Sequence, residues 1–109
     1  MDAPVLLSVE ETPDGQAKFT WEPYNQPDMF GVHGSVQGFD EATGHHVIGA
    51  FVYGEQLVQG SITVPLDHTR GHATVRCELD VSGYANSSWT DYAFAKSNAV
   101  ELVITPGKK

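Results

Sequence analysis

Apolar and polar residues alternate with a period of two along most of this chain. The alternation is clearest in residues 17–22, where Ala17, Phe19 and Trp21 share one face, and in residues 72–81. A period of two is the spacing of a β-strand that turns one face to the core. Eleven glycines and six prolines divide the chain into short segments. Short alternating segments with turn residues between them predict an all-β fold.

The same pattern predicts about seven strands, separated by turn chemistry. Pro13-Asp14-Gly15 combines a fixed φ, a capping side chain and a residue free to adopt positive φ. Residues 40–44 resemble a hairpin loop with its glycine in a left-handed position. The predicted strands cover residues 5–11, 17–22, 30–39, 46–53, 61–66, 72–81 and 100–105.

The first and third strands carry specific expectations. In the first, alternation places Val5, Leu7 and Val9 together on one face. Glycine inside a strand marks a bulge or a close approach of another backbone, so we expect one of these in the third strand. Its glycines are Gly31, Gly34 and Gly38.

The strand at residues 46–53 is apolar on both faces. A strand of this kind is either central in its sheet or has an exposed apolar face. Ile48, Ala50 and Val52 form one of the two faces. If the domain itself does not cover these three side chains, we expect a partner to cover them, and they are a candidate interaction strand.

The segment between Gly83 and Pro106 contains no further glycine or proline. Trp89, Tyr92 and Lys96 fall at helical spacing, which permits a short helix over residues 88–96. The pattern favours instead an extended loop whose aromatic side chains pack across the end of the fold.

Length and charge narrow the class of protein. The chain has 109 residues, which predicts a single domain over residues 1–106 and a short tail at 107–109. The formal charge is −8, and a surface so acidic argues against nucleic acid and anionic membranes as partners. No apolar run is long enough to cross a bilayer. The N-terminus lacks the basic flank and apolar stretch of a secretory signal.

The sequence contains no recognisable catalytic motif, so we expect neither an enzyme nor a cofactor. Cys77 is the one cysteine, which excludes an intramolecular disulfide. It lies on the apolar face of the strand at 72–81, where a thiol packs in the core and is unreactive. The acidic residues are dispersed over strand faces and loops, as in a solvating surface.

Four histidines give an alternative, a metal-binding domain. His45 and His46 follow two carboxylates, and His68 and His72 flank a predicted turn. Imidazole is a common zinc ligand. Adjacent residues of a regular strand point to opposite faces, however, so His45 and His46 cannot both bind one ion there. The spacing matches no recognised zinc motif, and the favoured interpretation is a set of solvated loop histidines.

The aromatic segment 84–94 gives a second alternative, a carbohydrate-binding module. Flat aromatic rings beside amide and carboxylate groups are typical of surfaces that bind sugars or proteins. The competing interpretation is that Trp89 covers the core. The candidate binding residues are Tyr84, Asn86, Trp89, Asp91 and Tyr92.

Three strings resemble a fibronectin type III or related immunoglobulin-like domain. Ala3-Pro4 with residues 5–9 is similar to its opening strand, and Phe19-Thr20-Trp21-Glu22-Pro23 to its second strand. Residues 97–102 with Thr105-Pro106 are similar to its last strand and exit. The chain departs from the family in residues 72–75, which lack the core tyrosine, and in the length of 82–97.

The resemblance implies a seven-stranded antiparallel β-sandwich, immunoglobulin-like and closest to fibronectin type III. It also implies a non-catalytic module for protein–protein interaction or adhesion, acting as an accessory or decorating domain of a larger assembly. An extracellular multidomain protein or a virion surface or tail protein would suit such a module. The charge of −8 predicts that a charged partner is basic.

Overall fold

The computed structural model describes residues 1–66 and 74–104. Within this part of the chain the structure has eight strands and one short helix. The strands are β1 (Leu6–Glu11), β2 (Gln16–Trp21), β3 (Phe30–Asp40), β4 (His46–Val52), β5 (Ser61–Pro65), β6 (Thr74–Tyr84), β7 (Tyr92–Lys96) and β8 (Val100–Val103), and the helix is α1 (Gly54–Gln59). The predicted all-β class is therefore confirmed.

The strands form two antiparallel sheets. One has the order β1-β2-β5, and the other has the order β4-β3-β6-β7, with β8 also paired to β6. The eleven residues of β6 are shared along one edge, because Thr74–Cys77 pair with β8 and Asp80–Tyr84 pair with β7. Apolar side chains from both sheets fill one core. The structure is a β-sandwich, as predicted.

The two strands with the clearest alternation in the sequence, β2 and β6, contribute buried side chains to the core. Ala17, Phe19 and Trp21 of β2 are fully buried, as the pattern predicts. The predicted inner face of β6 is also buried, at Val75, Cys77, Leu79 and Val81. Ala73, expected on the same face, lies outside the described residues.

The prediction that Val5, Leu7 and Val9 share one face is wrong. Leu6 and Val9 are buried, whereas Val5 and Leu7 are exposed. The register with β2 shifts between Leu6 and Ser8. An extra residue in one strand moves every later side chain to the other face, so Leu7 points to solvent while Val9 returns to the core.

The strand β4 lies at an edge of its sheet, so the central position considered from the sequence is excluded. It is followed by α1, which the sequence pattern did not predict. The side chain of Gln56 accepts a hydrogen bond from the backbone N–H of Tyr53 at 2.8 Å, which caps the helix start. Gly60 ends the helix with φ 89°. Leu57 is completely buried, so the helix covers one end of the core.

The segment after β6 differs from the expected extended loop, and residues 85–99 contain no helix. Residues 85–91 form a turn, and Tyr92–Lys96 form strand β7. The edge strand then breaks at residues 97–99 before β8 begins. At this break the Asn98 side chain hydrogen-bonds to the backbone of β1. Its Oδ1 accepts from Leu6 N at 3.0 Å, and its Nδ2 donates to Leu6 O at 2.9 Å. This side chain ties the two sheets together.

Candidate functional site

The outer face of the five-stranded sheet exposes large aromatic side chains. Tyr92 and Phe94 on β7 are 59% and 67% exposed. On the opposite edge, Phe51 of β4 and the adjoining Tyr53 are also more than half exposed, with ring centroids 4.7 Å apart. A grouping of exposed rings on one face is uncommon in a protein surface that has no partner.

A groove with a volume of about 420 Å³ lies between these aromatic walls. Ser35 pairs with Phe51 on one side and Asp80 on the other, and Asp80 pairs with Lys96. The four strands therefore place these residues in one row across the sheet. Since β4 and β7 are separated by two strands, their backbones are roughly 14 Å apart. We call this space the outer groove.

The second row of the outer groove contains His33, Ser82 and Phe94. The His33 ring stacks on Phe51, with centroids 5.4 Å apart and an interplanar angle of 21°. Its Nδ1 lies 2.8 Å from the carbonyl oxygen of Gly31. A carbonyl only accepts, so Nδ1 carries a proton, and Nε2 is hydrogen-bonded to the Ser82 hydroxyl at 2.9 Å. These two hydrogen bonds fix the orientation of the imidazole at the bottom of the outer groove.

The contact of Ser82 with His33 has the distance of a nucleophile and its base. Ser82 is almost fully buried near the C-terminal end of the central strand β6, where it is paired on both sides. Backbone N–H groups of such a strand lie in the plane of the sheet and point to the neighbouring strands. They are not directed into the groove, where they would have to stabilise a developing oxyanion. The geometry favours a structural hydrogen bond.

Asp80 is the unusual charged group of the outer groove. Its Oδ1 is enclosed and has no hydrogen-bond partner among the described residues. Burial raises the pKa of this carboxyl, the neighbouring Glu78 raises it further, and Lys96 lowers it. The two ion pairs of the described residues both go to Glu78, from Arg76 at 2.7 Å and from Lys96 at 4.0 Å. Between described residues no ion pair within 4.0 Å reaches Asp80, although Lys96 lies opposite it in the sheet.

The predicted aromatic site forms a compact turn beside the groove. The Asn86 side chain accepts from the backbone N–H groups of Ser88 and Thr90 at 3.1 and 3.2 Å. It also donates to Thr90 Oγ1 at 2.8 Å and to Asp91 Oδ2 at 3.3 Å. Asn86 and Asp91 thus hydrogen-bond within the turn and hold its shape.

Trp89 is presented to solvent by this turn. It is 58% exposed, and its φ of 62° lies in the left-handed region, which a bulky residue rarely adopts. The ring packs on Gly31, where a Cβ atom would stand 2.2 Å from it. Trp89 and Tyr92 each meet the Tyr84 ring edge-on, at 5.2 and 5.5 Å. Trp89 therefore lies on the outer face and does not cover the core.

The candidate interaction residues of β4 do not form an exposed surface. Ile48 and Val52 are buried in the core and Ala50 is partly buried against it, so the domain itself covers this face of β4. The exposed apolar side chain of β4 is Phe51, on the opposite face. A partner was expected to cover Ile48, Ala50 and Val52 only if the domain itself left them exposed, and it does not.

The histidines considered as metal ligands are not brought together where the structure describes them. Across residues 1–66 and 74–104, no group of three or more His, Cys, Asp or Glu side chains could hold a metal ion. His45 and His46 are both exposed, and His46 packs edge-on against Phe39. His68 and His72 lie outside the described residues. The helix in the described part of the chain lacks the length and apolarity needed to span a bilayer.

We expect Cys77 to resist thiol reagents in the folded protein. Burial, with Glu78 as a lesser cause, raises the pKa of its thiol to about 12, so almost no thiolate forms at pH 8. Labelling with a chromogenic disulfide reagent at pH 8 should release no colour within minutes. The same sample in denaturant should react with one thiol per chain. Rapid labelling of the folded protein would contradict the buried position.

Comparison with protein-family models, with curated proteins and with solved structures gives no match to this chain.

Proposed function

We propose that this chain is a non-catalytic binding module, immunoglobulin-like and closest to fibronectin type III, that attaches to a protein partner through the outer groove and its aromatic walls. The strand order supports the family part of the proposal. Three strands in one sheet face a second sheet whose last edge is divided between β7 and β8. This arrangement resembles the sandwich of the family to which the sequence is similar.

The exposure of Phe51, Tyr53, Tyr92 and Phe94 on one face carries the functional part of the proposal. Aromatic side chains are enriched at the centres of protein interfaces, because a large rigid ring buries much apolar area and loses little entropy. His33 and Ser82 satisfy each other in the floor, so the groove is held in shape before a partner arrives.

The module would serve as an accessory or decorating domain of a larger assembly, in an extracellular multidomain protein or on a virion. Its net charge of −8 keeps such a surface soluble and favours basic partners. The outer face is the part of the described surface that offers an aromatic contact area.

A carbohydrate ligand is the second candidate, and the exposure of Trp89 favours it. A solvent-facing indole beside Tyr92 could stack on a sugar ring. The amide of Asn86 and the carboxylate of Asp91 already bind each other, which leaves fewer free polar atoms to recognise hydroxyl groups. The protein partner is therefore the preferred proposal.

The experiment compares partners of the wild type with those of two double variants. Phe51→Ser/Phe94→Ser removes both aromatic walls, and the control Leu7→Ser/Val58→Ser removes two exposed apolar side chains elsewhere. Proteins from the source material that are retained by the immobilised chain are identified, purified and titrated by calorimetry. Two lost hot spots should weaken binding about 100-fold or more, and the control variant should bind as the wild type does.

A purified partner that binds both double variants with the wild-type Kd would place the interface elsewhere and overturn the proposal. The absence of any purified protein that binds the wild type would also overturn it. A glycan array tests the second candidate, with Trp89→Gly as the matched variant. A glycan that binds the wild type and not Trp89→Gly would replace the protein partner by a carbohydrate.

A further inference from the structure

The polar groups of the outer groove leave one acceptor unused. His33 is satisfied by Gly31 and Ser82, and Lys96 and Arg76 pair with Glu78. No hydrogen bond or ion pair between described residues reaches the Asp80 carboxylate. Its Oδ1 is enclosed and out of reach of a ligand, but the side chain lines the outer groove, where Oδ2 can accept from a ligand with N–H donors. A carboxylate accepts most strongly from charged donors.

An exposed ring lies next to the unused carboxylate. Asp80 pairs with Lys96, and Phe94 is two residues from Lys96 on the same face of β7. Such diagonal neighbours have side chains roughly 7–8 Å apart at Cβ. One planar cation can therefore approach the Phe94 ring within the roughly 6 Å of a cation–π contact and donate to Asp80. The guanidinium of arginine does both, because it is planar and has a fork of donors.

The net charge of the protein favours a basic partner over a second copy of this chain as the occupant of the outer groove. The net charge of −8 makes two copies repel each other, and it attracts a basic segment. Asp80 extends this preference into the outer groove, because its side chain lines the groove.

Building on the proposed function, we infer that the outer groove receives an arginine side chain from a basic segment of the protein partner, with the guanidinium packed on Phe94 and hydrogen-bonded to Asp80. Lys96 lines the same groove and competes electrostatically with the incoming cation. Its removal should therefore strengthen binding, which a purely apolar groove would not show.

The test uses two neutral-capped amino acids of nearly equal shape. N-acetyl-arginine methylamide carries the guanidinium, and N-acetyl-citrulline methylamide replaces it by an uncharged urea. Each is titrated into the isotopically labelled protein, and amide chemical shifts are followed by NMR. A single side chain should bind with a Kd of roughly 1–10 mM. We expect the arginine compound to shift the amides of Phe51, Asp80 and Phe94, and the citrulline compound to bind at least about tenfold more weakly.

Four variants distinguish a specific contact with the Asp80 carboxylate from general attraction by the negative charge of the protein. Asp80→Asn should weaken arginine binding about tenfold or more, whereas Glu10→Gln, which removes an equal charge from the exposed side of β1, should leave it unchanged. Phe94→Leu keeps an apolar side chain without a π face and should cost about 3- to 5-fold. Lys96→Gln should strengthen binding. The amide spectrum of each variant shows directly whether it is folded.

Several outcomes would overturn the inference. These are equal binding of the citrulline compound, equal effects of Asp80→Asn and Glu10→Gln, and no saturable shift of the groove amides. Its failure remains distinct from that of the proposed function. A partner that requires Phe51 and Phe94 but ignores Asp80→Asn would leave the interface in place without the arginine. Binding of the arginine compound with no partner dependent on the aromatic walls would leave the site without the proposed role.

Discussion

Trp21→Ala is expected to lower the free energy of unfolding by about 3–5 kcal/mol. Trp21 is 1% exposed and is the largest fully buried side chain of the described core. Its Nε1 donates to the carbonyl oxygen of Leu57 at 3.0 Å, so one side chain joins β2 to α1. Alanine would leave a cavity and remove one of the two hydrogen bonds that Leu57 O accepts, the other coming from Tyr24 N–H at 2.9 Å. Both effects destabilise the fold.

Urea unfolding followed by far-ultraviolet circular dichroism measures this effect. The matched control is Trp89→Ala, which removes the same side chain from the surface and should cost less than about 1 kcal/mol. If Trp21→Ala does not fold, Trp21→Phe still tests the hydrogen bond. The lost hydrogen bond should cost about 0.5–1.5 kcal/mol, because a ring remains and Leu57 O keeps its bond from Tyr24 N–H. Equal losses for Trp21→Ala and Trp89→Ala would contradict the assignment of Trp21 to the core.

The parts of the fold that could be predicted are those where local sequence and tertiary structure agree. In β2, and in β6 as far as Val81, the alternation is unbroken, so the period alone identifies the buried face. Gly15 and Gly44 lie in turns that the sequence marks, and both adopt positive φ. In each case the decisive information lies within a few neighbouring residues.

The failures arise where a long-range contact overrides the local pattern. The bulge in β1 places Leu6 in the core and Leu7 in solvent, and alternation alone cannot reveal an extra residue. The helix α1 has six residues, too few to form without tertiary support, and the burial of Leu57 supplies that support. Neither feature has a strong local signal.

The candidate site was found only in part for the same reason. The segment around Trp89 and Tyr92 is aromatic in sequence, so it could be recognised directly. The outer groove instead combines Ser35, Phe51 and Asp80 from three strands, and their register must be known before they can be placed in one row. The outward alternation of Asp80 was visible in the sequence, but the lack of a close ion pair to it depends on Lys96 and Arg76 pairing with Glu78.

Gly34→Ala is expected to destabilise the protein by about 3 kcal/mol, the upper end of the usual overpacking range. A Cβ atom at Gly34 would lie 2.4 Å from the backbone oxygen of Asp80. That oxygen belongs to β6, the central partner of β3, so it cannot move without separating the two strands. The glycines of this strand predict a bulge or a close backbone approach, and Gly34 provides the close approach.

The matched control is Gly49→Ala in the neighbouring strand β4. A Cβ atom there would lie 2.6 Å from Cε1 of His46, the end of an exposed ring that can rotate away. Thermal unfolding should therefore show a large fall in Tm for Gly34→Ala and a small change for Gly49→Ala. Equal changes would indicate that lost glycine flexibility, and not the contact with Asp80, governs both positions. Because Gly34 and Asp80 both line the outer groove, a folded Gly34→Ala protein should also bind the arginine compound more weakly.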